Sequence, residues 1–292
     1  MLKTRSVTLT QKARGVLQIF RPELPAAAGV CVLLGEVLAL GAAPPLPALG
    51  LGFACGFFLS GSALITNDYF DLEVDRVNAP QRPLPAGILT PREVMALGIV
   101  AAIIGLAAAA AFGPLALGLS LVVWLMGFAY NWKLKAAGLW GNLVVAASVG
   151  ITFVLGGIAV GQPWSRTVWL FALIALVFDL AEEIAGDAMD AEGDQRRGSH
   201  SIAIVRGRQA ALRVSGALFG LVVALTLLPL GWGGLGLAYF IPISLTDLLI
   251  VFFVARLLRS QTPAAGRRAM RGLYLSGSLG LLAFLVGSFL AA

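Results

Sequence analysis

The most restrictive feature of this sequence is a series of apolar stretches that recur along the whole chain. A helix needs roughly 20 apolar residues to cross the hydrocarbon core of a membrane. Hydrophobic residues make up 59% of the 292 residues and charged residues only 12%, and so few charges cannot cover a soluble domain. We therefore predict an all-α, polytopic membrane protein that forms one domain over residues 1–292. Its nine transmembrane helices are expected near residues 24–42, 46–66, 96–113, 115–130, 138–160, 167–186, 209–229, 236–258 and 269–291.

The basic residues predict how these helices are oriented. With nine crossings, every Lys and Arg except Arg166 falls on the same side of the membrane as the N-terminus. Because basic loops are retained in the cytoplasm, we predict a multi-pass protein of the cell membrane with a cytoplasmic N-terminus. The net charge of +6 then follows from topology, so we expect a lipid bilayer as partner and no nucleic acid.

Acidic residues are concentrated at the predicted cytoplasmic ends of the second and sixth helices. We call residues 67–75 the first acidic segment and residues 179–194 the second acidic segment. If the second helix continues through the first segment, Asn67, Asp71 and Asp75 share one helical face with Asp68 beside them. In the second segment, acidic residues recur at helical spacing along one face, at Asp179, Glu183, Asp187, Asp190 and Asp194.

Acids at this spacing repel one another unless cations or protons neutralise them. Oxygen ligands with open positions suit Mg2+, which binds one or two carboxylates while bridging to substrate phosphates. Arg82 follows the first acidic segment, and Lys133 and Lys135 occupy a loop between the two segments. Basic donors beside a metal form a receptor for diphosphate. A ligand with a diphosphate head at the membrane edge and a long apolar tail between the helices would suit such a receptor. Polyprenyl diphosphates have this structure. The alternative, ordinary helix ends whose acids pair with arginines, is disfavoured because acids inside a membrane are costly and usually functional.

Three separated motifs resemble those of the UbiA superfamily of intramembrane prenyltransferases. The run NDYFDLEVDRVNAPQRPLPAG at residues 67–87 is similar to the first aspartate-rich signature, and EEIAGDAMDAEGDQRRG at residues 182–198 is similar to the second. Between them, YNWKLKAAGLWGNLVVA at residues 130–146 resembles the tyrosine–lysine loop of the family. The motifs occur in the family's order, and the resemblance covers nearly the whole chain. It implies a UbiA-like helical bundle whose active site lies on the cytoplasmic side.

The resemblance also implies roles for particular residues in a Mg2+-dependent prenyl transfer. One metal site would comprise Asn67, Asp68, Asp71 and Asp75, and the other Asp187, Asp190 and Asp194. The residues expected to bind the diphosphate donor are Arg82, Lys133, Lys135, Arg21 and Asn67. The residues expected to be catalytic are Asp71, Asp190, Lys133 and Tyr130.

The motif wording is most similar to family members that alkylate geranylgeranylglyceryl phosphate in ether-lipid synthesis. This resemblance implies a geranylgeranyl diphosphate donor and a lipophilic acceptor. Two positions depart from that wording, because Glu182 and Gly186 stand where such members usually carry basic residues. An aromatic or tetrapyrrole acceptor, such as a 4-hydroxybenzoate-type quinone precursor or chlorophyllide, is therefore the alternative. A transporter of cations or phosphorylated solutes is a remote alternative, because transport sites lie near the middle of the bilayer.

Overall fold

The computed structural model describes residues 7–195, 198–229 and 236–291, and within these ranges the regular structure is helical with no strand. A 3-10 turn, Leu134–Ala136, lies between the sixth and seventh helices. The twelve α-helices are α1 (Leu9–Phe20), α2 (Glu23–Leu40), α3 (Leu46–Phe70), α4 (Leu72–Asn78), α5 (Pro91–Ala110), α6 (Pro114–Trp132), α7 (Leu139–Ala159), α8 (Arg166–Gln195), α9 (Ile202–Arg206), α10 (Arg208–Thr226), α11 (Gly236–Leu258) and α12 (Pro263–Ala291).

The prediction of an all-helical membrane protein is confirmed, and each of the nine predicted apolar stretches coincides with a helix. Seven helices of the described ranges are long and apolar enough to cross a membrane, namely α2, α3, α5, α6, α7, α10 and α11. Helices α8 and α12 are longer still, at 30 and 29 residues. From Glu182 onward, the acids of the second acidic segment lie in the C-terminal half of α8, and these charges distinguish α8 from the seven apolar helices.

Helix α1 was not among the predicted helices, although the sequence carries its start signal. Thr8 and Gln11 form a capping box: the Gln11 N–H donates to the Thr8 hydroxyl at 3.2 Å, and the Thr8 N–H donates to Gln11 Oε1 at 2.9 Å. The helix ends at Arg21, which adopts a left-handed conformation with φ of 46°. A non-glycine residue in this region is strained, and such strain is concentrated at functional sites.

The bundle is built from pairs of closely packed helices. Helix α2 packs against both α3 and α7, α3 packs against α5, α8 packs against α7 and α10, and α11 packs against α12. Glycine allows the closest of these approaches: a Cβ on Gly156 of α7 would lie 2.1 Å from the carbonyl oxygen of Val32 of α2. Small residues replace bulky ones where membrane helices touch in this way. The packing leaves a chamber between α2, α7, α8, α11 and α12.

Candidate active site

The first acidic segment is not one unbroken helix. Helix α3 ends at Phe70, and Asp71 stands between α3 and α4 with φ of −84° and ψ of 1°. The condition stated for residues 67–75, an unbroken helix, is therefore not met at Asp71. The Asp71 N–H still donates to the Asn67 carbonyl at 2.9 Å and the Asp75 N–H to the Asp71 carbonyl at 2.8 Å. Because the chain keeps this near-helical course, the Asn67 amide can donate to Asp71 Oδ2 at 3.1 Å.

Two arginines neutralise the buried acids of this segment. Asp68 and Asp75 are only 3% and 6% exposed. Arg21 forms an ion pair with Asp68, while Arg82 Nη1 donates to Asp75 Oδ2 at 2.6 Å and lies 3.7 Å from Asp68 Oδ1. Although burial opposes it, hydrogen bonding and charge interaction with Asp75, together with the charges of Asp68 and Asp71, raise the pKa of Arg82 above its ordinary value. This part of the site therefore holds permanent positive charge beside buried carboxylates.

The connection between α6 and α7 brings one of its two lysines to the same acids. Lys135 Nζ forms an ion pair with Asp71 and donates to Asn67 Oδ1 at 3.0 Å. Lys133 does not share these contacts: its Nζ lies over the Trp132 ring, 4.3 Å from the centroid. Of the two predicted lysines, Lys135 is thus the one that the fold joins to the first acidic segment.

The path of this connection is fixed by backbone packing. Gly138 has φ of +58°, and a Cβ there would lie 2.2 Å from the carbonyl oxygen of His200, so only glycine fits. The His200 N–H also donates to the Ala136 carbonyl at 3.1 Å. The Tyr130 ring lies at the N-terminal turn of α7, where a Cβ on Gly141 would meet it at 3.3 Å. These contacts fix the connection that carries Lys135, the partner of Asp71, and place the Tyr130 ring against the start of α7.

Helix α8 carries the second acidic segment, and two residues that sequence reasoning missed contact it. Asn142, on the first turn of α7, donates through Nδ2 to Asp187 Oδ2 at 2.9 Å. Arg267, on the first turns of α12, forms an ion pair with Asp190 and donates to the Met189 carbonyl at 3.2 Å. Asn142 belongs to the motif at residues 130–146 that resembles the tyrosine–lysine loop of the family. Arg267 had no local signal, because its partner lies 77 residues away in the sequence.

The predicted ligand Asp194 belongs to α8, but its side chain lies outside the described residues. The deeper acids of α8 open onto the chamber, which has a volume of about 500 Å3. Asp179 and Glu182 line its wall among largely apolar residues, and within the described part of the chain Asp179 Oδ2 has no hydrogen-bond partner. Leu24, three residues beyond Arg21, lines the chamber as well. The chamber therefore extends from the charged end of the bundle into its apolar interior.

The site has the ligands of a metal ion that is coordinated partly by the protein and partly by its substrate. Among the described residues, no three His, Cys, Asp or Glu side chains are placed to hold a metal ion by themselves. The carboxylates are hard oxygen donors, which suits Mg2+, an ion that commonly takes one or two carboxylates and completes its shell with substrate phosphates and water. The residues present therefore fit Mg2+ together with a phosphorylated ligand.

Fold and site together define a helical membrane protein with paired acidic and basic side chains at one end of an apolar chamber, an arrangement that suits a phosphorylated, lipid-like ligand. Comparison with known proteins agrees with this description. The model of the UbiA prenyltransferase family matches residues 28–289, and the chain belongs to this family. The predicted family and the predicted enzyme class, a prenyltransferase, are confirmed.

Similarity to individual proteins extends over nearly the whole length. The chain is 34% identical over 278 residues to digeranylgeranylglyceryl phosphate synthase of Thermococcus gammatolerans, a match that covers 95% of this chain and 99% of that protein. A solved structure from work on digeranylgeranylglyceryl phosphate synthase in membranes has a TM-score of 0.80 and 28% identity, with 95% of this chain and 99% of the other covered. The UbiA homolog from Archaeoglobus fulgidus bound to GPP and Mg2+ shares the fold, with a TM-score of 0.68, 18% identity, and coverage of 94% and 99%.

Proposed function

We propose that this prenyltransferase moves the geranylgeranyl group of geranylgeranyl diphosphate to geranylgeranylglyceryl phosphate in ether-lipid synthesis. The observation that carries the proposal is the position of the two acidic segments, with their basic partners, at one end of an apolar chamber. A diphosphate suits the charged end, and a polyprenyl tail suits the chamber. The names of the relatives, digeranylgeranylglyceryl phosphate synthases, support the choice of acceptor.

Two adjoining cavities support a reaction between two isoprenoid lipids. Beside the chamber of about 500 Å3 lies a second cavity of about 220 Å3 between α3, α6 and α7. The two share a wall of small side chains, formed by Ala28, Ser60, Val145, Val149 and Thr152. Donor and acceptor each bring one long apolar chain, and two neighbouring apolar spaces suit such a pair.

Mg2+ is the proposed cofactor. One ion would be held by Asn67, Asp68, Asp71 and Asp75, and the other by Asp187, Asp190 and Asp194. When bound, the metal supplies positive charge that stabilises the diphosphate as a leaving group. The Mg2+ that accompanies GPP in the Archaeoglobus fulgidus homolog supports this choice, and so do the hard oxygen donors of both acidic segments.

The chain's own residues bind the donor and protect the reacting carbon. In the proposed reaction the allylic C–O bond of the donor breaks, its electron pair leaves with the diphosphate, and the acceptor hydroxyl forms the new C–O bond and releases its proton. Basic groups aimed at the leaving group stabilise its growing charge, and we assign this role to Arg21, Arg82 and Lys135. Lys133 can join them only if its ammonium leaves the Trp132 ring. The Tyr130 ring is assigned to stabilise the allylic cation. The apolar wall of the chamber excludes water that would quench the cation.

The proposed topology has nine crossings, with α8 and α12 added to the seven helices identified above. We place the N-terminus and the active site on the cytoplasmic side, in a single domain over residues 1–292. The support is the distribution of charge, since Arg166 at the start of α8 is the one basic residue that this arrangement puts on the opposite side. Retention of basic loops in the cytoplasm then sets the orientation.

An acceptor panel tests the proposed function directly. Purified protein in detergent is supplied with radiolabelled geranylgeranyl diphosphate, Mg2+ and one acceptor at a time: geranylgeranylglyceryl phosphate, 4-hydroxybenzoate or chlorophyllide. We expect labelled product with geranylgeranylglyceryl phosphate. Product with an aromatic or tetrapyrrole acceptor alone would reject the ether-lipid assignment and leave a prenyltransferase with a different acceptor. Uptake of labelled solute into vesicles without any product would favour the transporter.

A matched pair of substitutions tests the assignment of the first acidic segment. Asp71→Asn removes a carboxylate that is proposed to hold Mg2+, and we expect turnover to fall at least about a hundredfold, as for the loss of one electrostatic contact in a transition state. Glu73→Gln is the control, because this acid of the same segment is 78% exposed and pairs with Arg76 at the surface. Equal activity of the two variants would remove Asp71 from the site.

A further inference from the structure

Arg267 lies where a second anionic group could enter the site. It stands in the second turn of α12 beside Gly266, which packs so closely on α8 that a Cβ there would lie 2.1 Å from Met189 Sδ. This contact fixes the backbone of α12 against the end of the second acidic segment. The guanidinium of Arg267 consequently meets Asp190 and the carbonyl of Met189.

The face of α12 that carries Arg267 also lines the chamber. Tyr274, Ser278 and Leu281 form part of the chamber wall, and residues 7, 11 and 14 positions apart recur on one side of a helix. The distance from residue 267 to residue 274 along the axis is about 10 Å at the ordinary rise of a helix. Arg267 therefore stands above the chamber, at the end where the acidic segments lie.

Among the ion pairs of this site, the pair of Arg267 with Asp190 is the easiest to open. The side chains of Arg267 and Asp190 are 56% and 58% exposed, whereas those of Arg21 and Asp68 are 25% and 4% exposed. Exposed pairs contribute little to stability, so Arg267 can exchange its partner at small cost. Within the described residues both of its contacts use Nη2, which leaves Nη1 and Nε to meet an incoming anion.

We infer that Arg267 binds the phosphate of the acceptor and thereby selects a phosphorylated acceptor lipid. This inference rests on the function proposed above. The donor's diphosphate is served by the bases paired with the first acidic segment, Arg21, Arg82 and Lys135. Arg267 instead lies on α12 and pairs with Asp190 of the second acidic segment. A guanidinium holds phosphate through paired N–H donors in a fixed geometry. An acceptor anchored in this way keeps its phosphate at the rim of the bundle and its isoprenoid chain below.

Substitutions of Arg267 test this role by separating the two substrates. For Arg267→Ala, we expect kcat/KM for geranylgeranylglyceryl phosphate to fall about 10- to 100-fold, the usual range for a lost hydrogen bond to a charged group. The KM of the donor should stay unchanged. The preference for the phosphorylated over the dephosphorylated acceptor should disappear. Arg267→Lys keeps the charge without the paired donors and should retain part of the preference.

Arg268→Ala is the matched control, since Arg268 is the adjacent exposed arginine of the same helix and consecutive residues face different directions. It should behave as wild type. An equal loss of activity toward both acceptors, or a raised donor KM, would overturn the role of Arg267. If the wild-type protein alkylates only an aromatic or tetrapyrrole acceptor, the proposed function fails. The inference can still be decided by a binding measurement without donor, in which tryptophan fluorescence reports the binding of geranylgeranylglyceryl phosphate. Equal affinity of wild type and Arg267→Ala would overturn the inference.

Discussion

Removal of Arg21 should destabilise the protein far more than removal of an arginine from a surface pair. Asp68 has a side chain that is 4% exposed, and Arg21 is its ion-pair partner. Breaking a buried pair from one side leaves an uncompensated charge, which costs about 3–5 kcal/mol. Arg82 Nη1, 3.7 Å from the same carboxylate oxygen, remains to offset part of this cost. We therefore expect Arg21→Ala to lower the free energy of unfolding by about 3 kcal/mol, the lower end of that range.

The assay is unfolding of the purified protein in mixed detergent and SDS, followed by tryptophan fluorescence. Alanine retains a Cβ, so the cost of the left-handed φ at position 21 stays the same in both proteins. Arg76→Ala is the control, because Arg76 and Glu73 are 57% and 78% exposed and such a pair contributes about 1 kcal/mol or less. Adding Asp68→Asn to Arg21→Ala removes the stranded charge and should restore most of the loss. Equal stability of Arg21→Ala and Arg76→Ala would refute the reasoning.

Three further predictions concern the metal, the topology and a buried acid. EDTA should abolish turnover and added Mg2+ should restore it, and full activity in chelator would reject the metal requirement. In a background without Cys31 and Cys55, an impermeant thiol reagent applied to sealed right-side-out vesicles should label Trp164→Cys and spare Pro80→Cys, and the reverse would invert the orientation. Glu36→Gln should keep turnover and raise the unfolding midpoint, because Glu36 is fully buried without a hydrogen-bond partner among the described residues and a neutral amide is less costly there. Lost turnover would instead give Glu36 a functional role.

The sequence was sufficient for the parts of the fold that depend on local composition. Apolar stretches long enough to cross a membrane predicted the helices from α2 onward that form the bundle, because in lipid a helix alone satisfies its own backbone groups. The acids of residues 67–75 and 179–194 were predicted to belong to the site because acids on membrane helices are costly and usually functional. The helices and the acidic segments could both be predicted because each depends only on the length and spacing of residues along the sequence.

Tertiary contacts decided what the sequence could not. Lys133 and Lys135 are equivalent as neighbours in a basic loop, and only the packing of that loop directs Lys135 to Asp71 and Lys133 to Trp132. The break at Asp71 has no proline or glycine to announce it. Arg267 reaches Asp190 because α12 packs on α8, and no local pattern relates residues so far apart.

The pairing of acids with bases explains how this site persists at the edge of a membrane. Asp68 faces Arg21, Asp75 faces Arg82, Asp71 faces Lys135 and Asp190 faces Arg267. Each pair cancels its own charge, so the protein without ligand avoids part of the repulsion that neighbouring carboxylates would suffer. In the proposed reaction the carboxylates turn to metal while the bases turn to phosphate, so the total charge of the site stays balanced. Stability and ligand binding thus depend on the same side chains, and the most exposed pair, Asp190 with Arg267, is the one expected to open first.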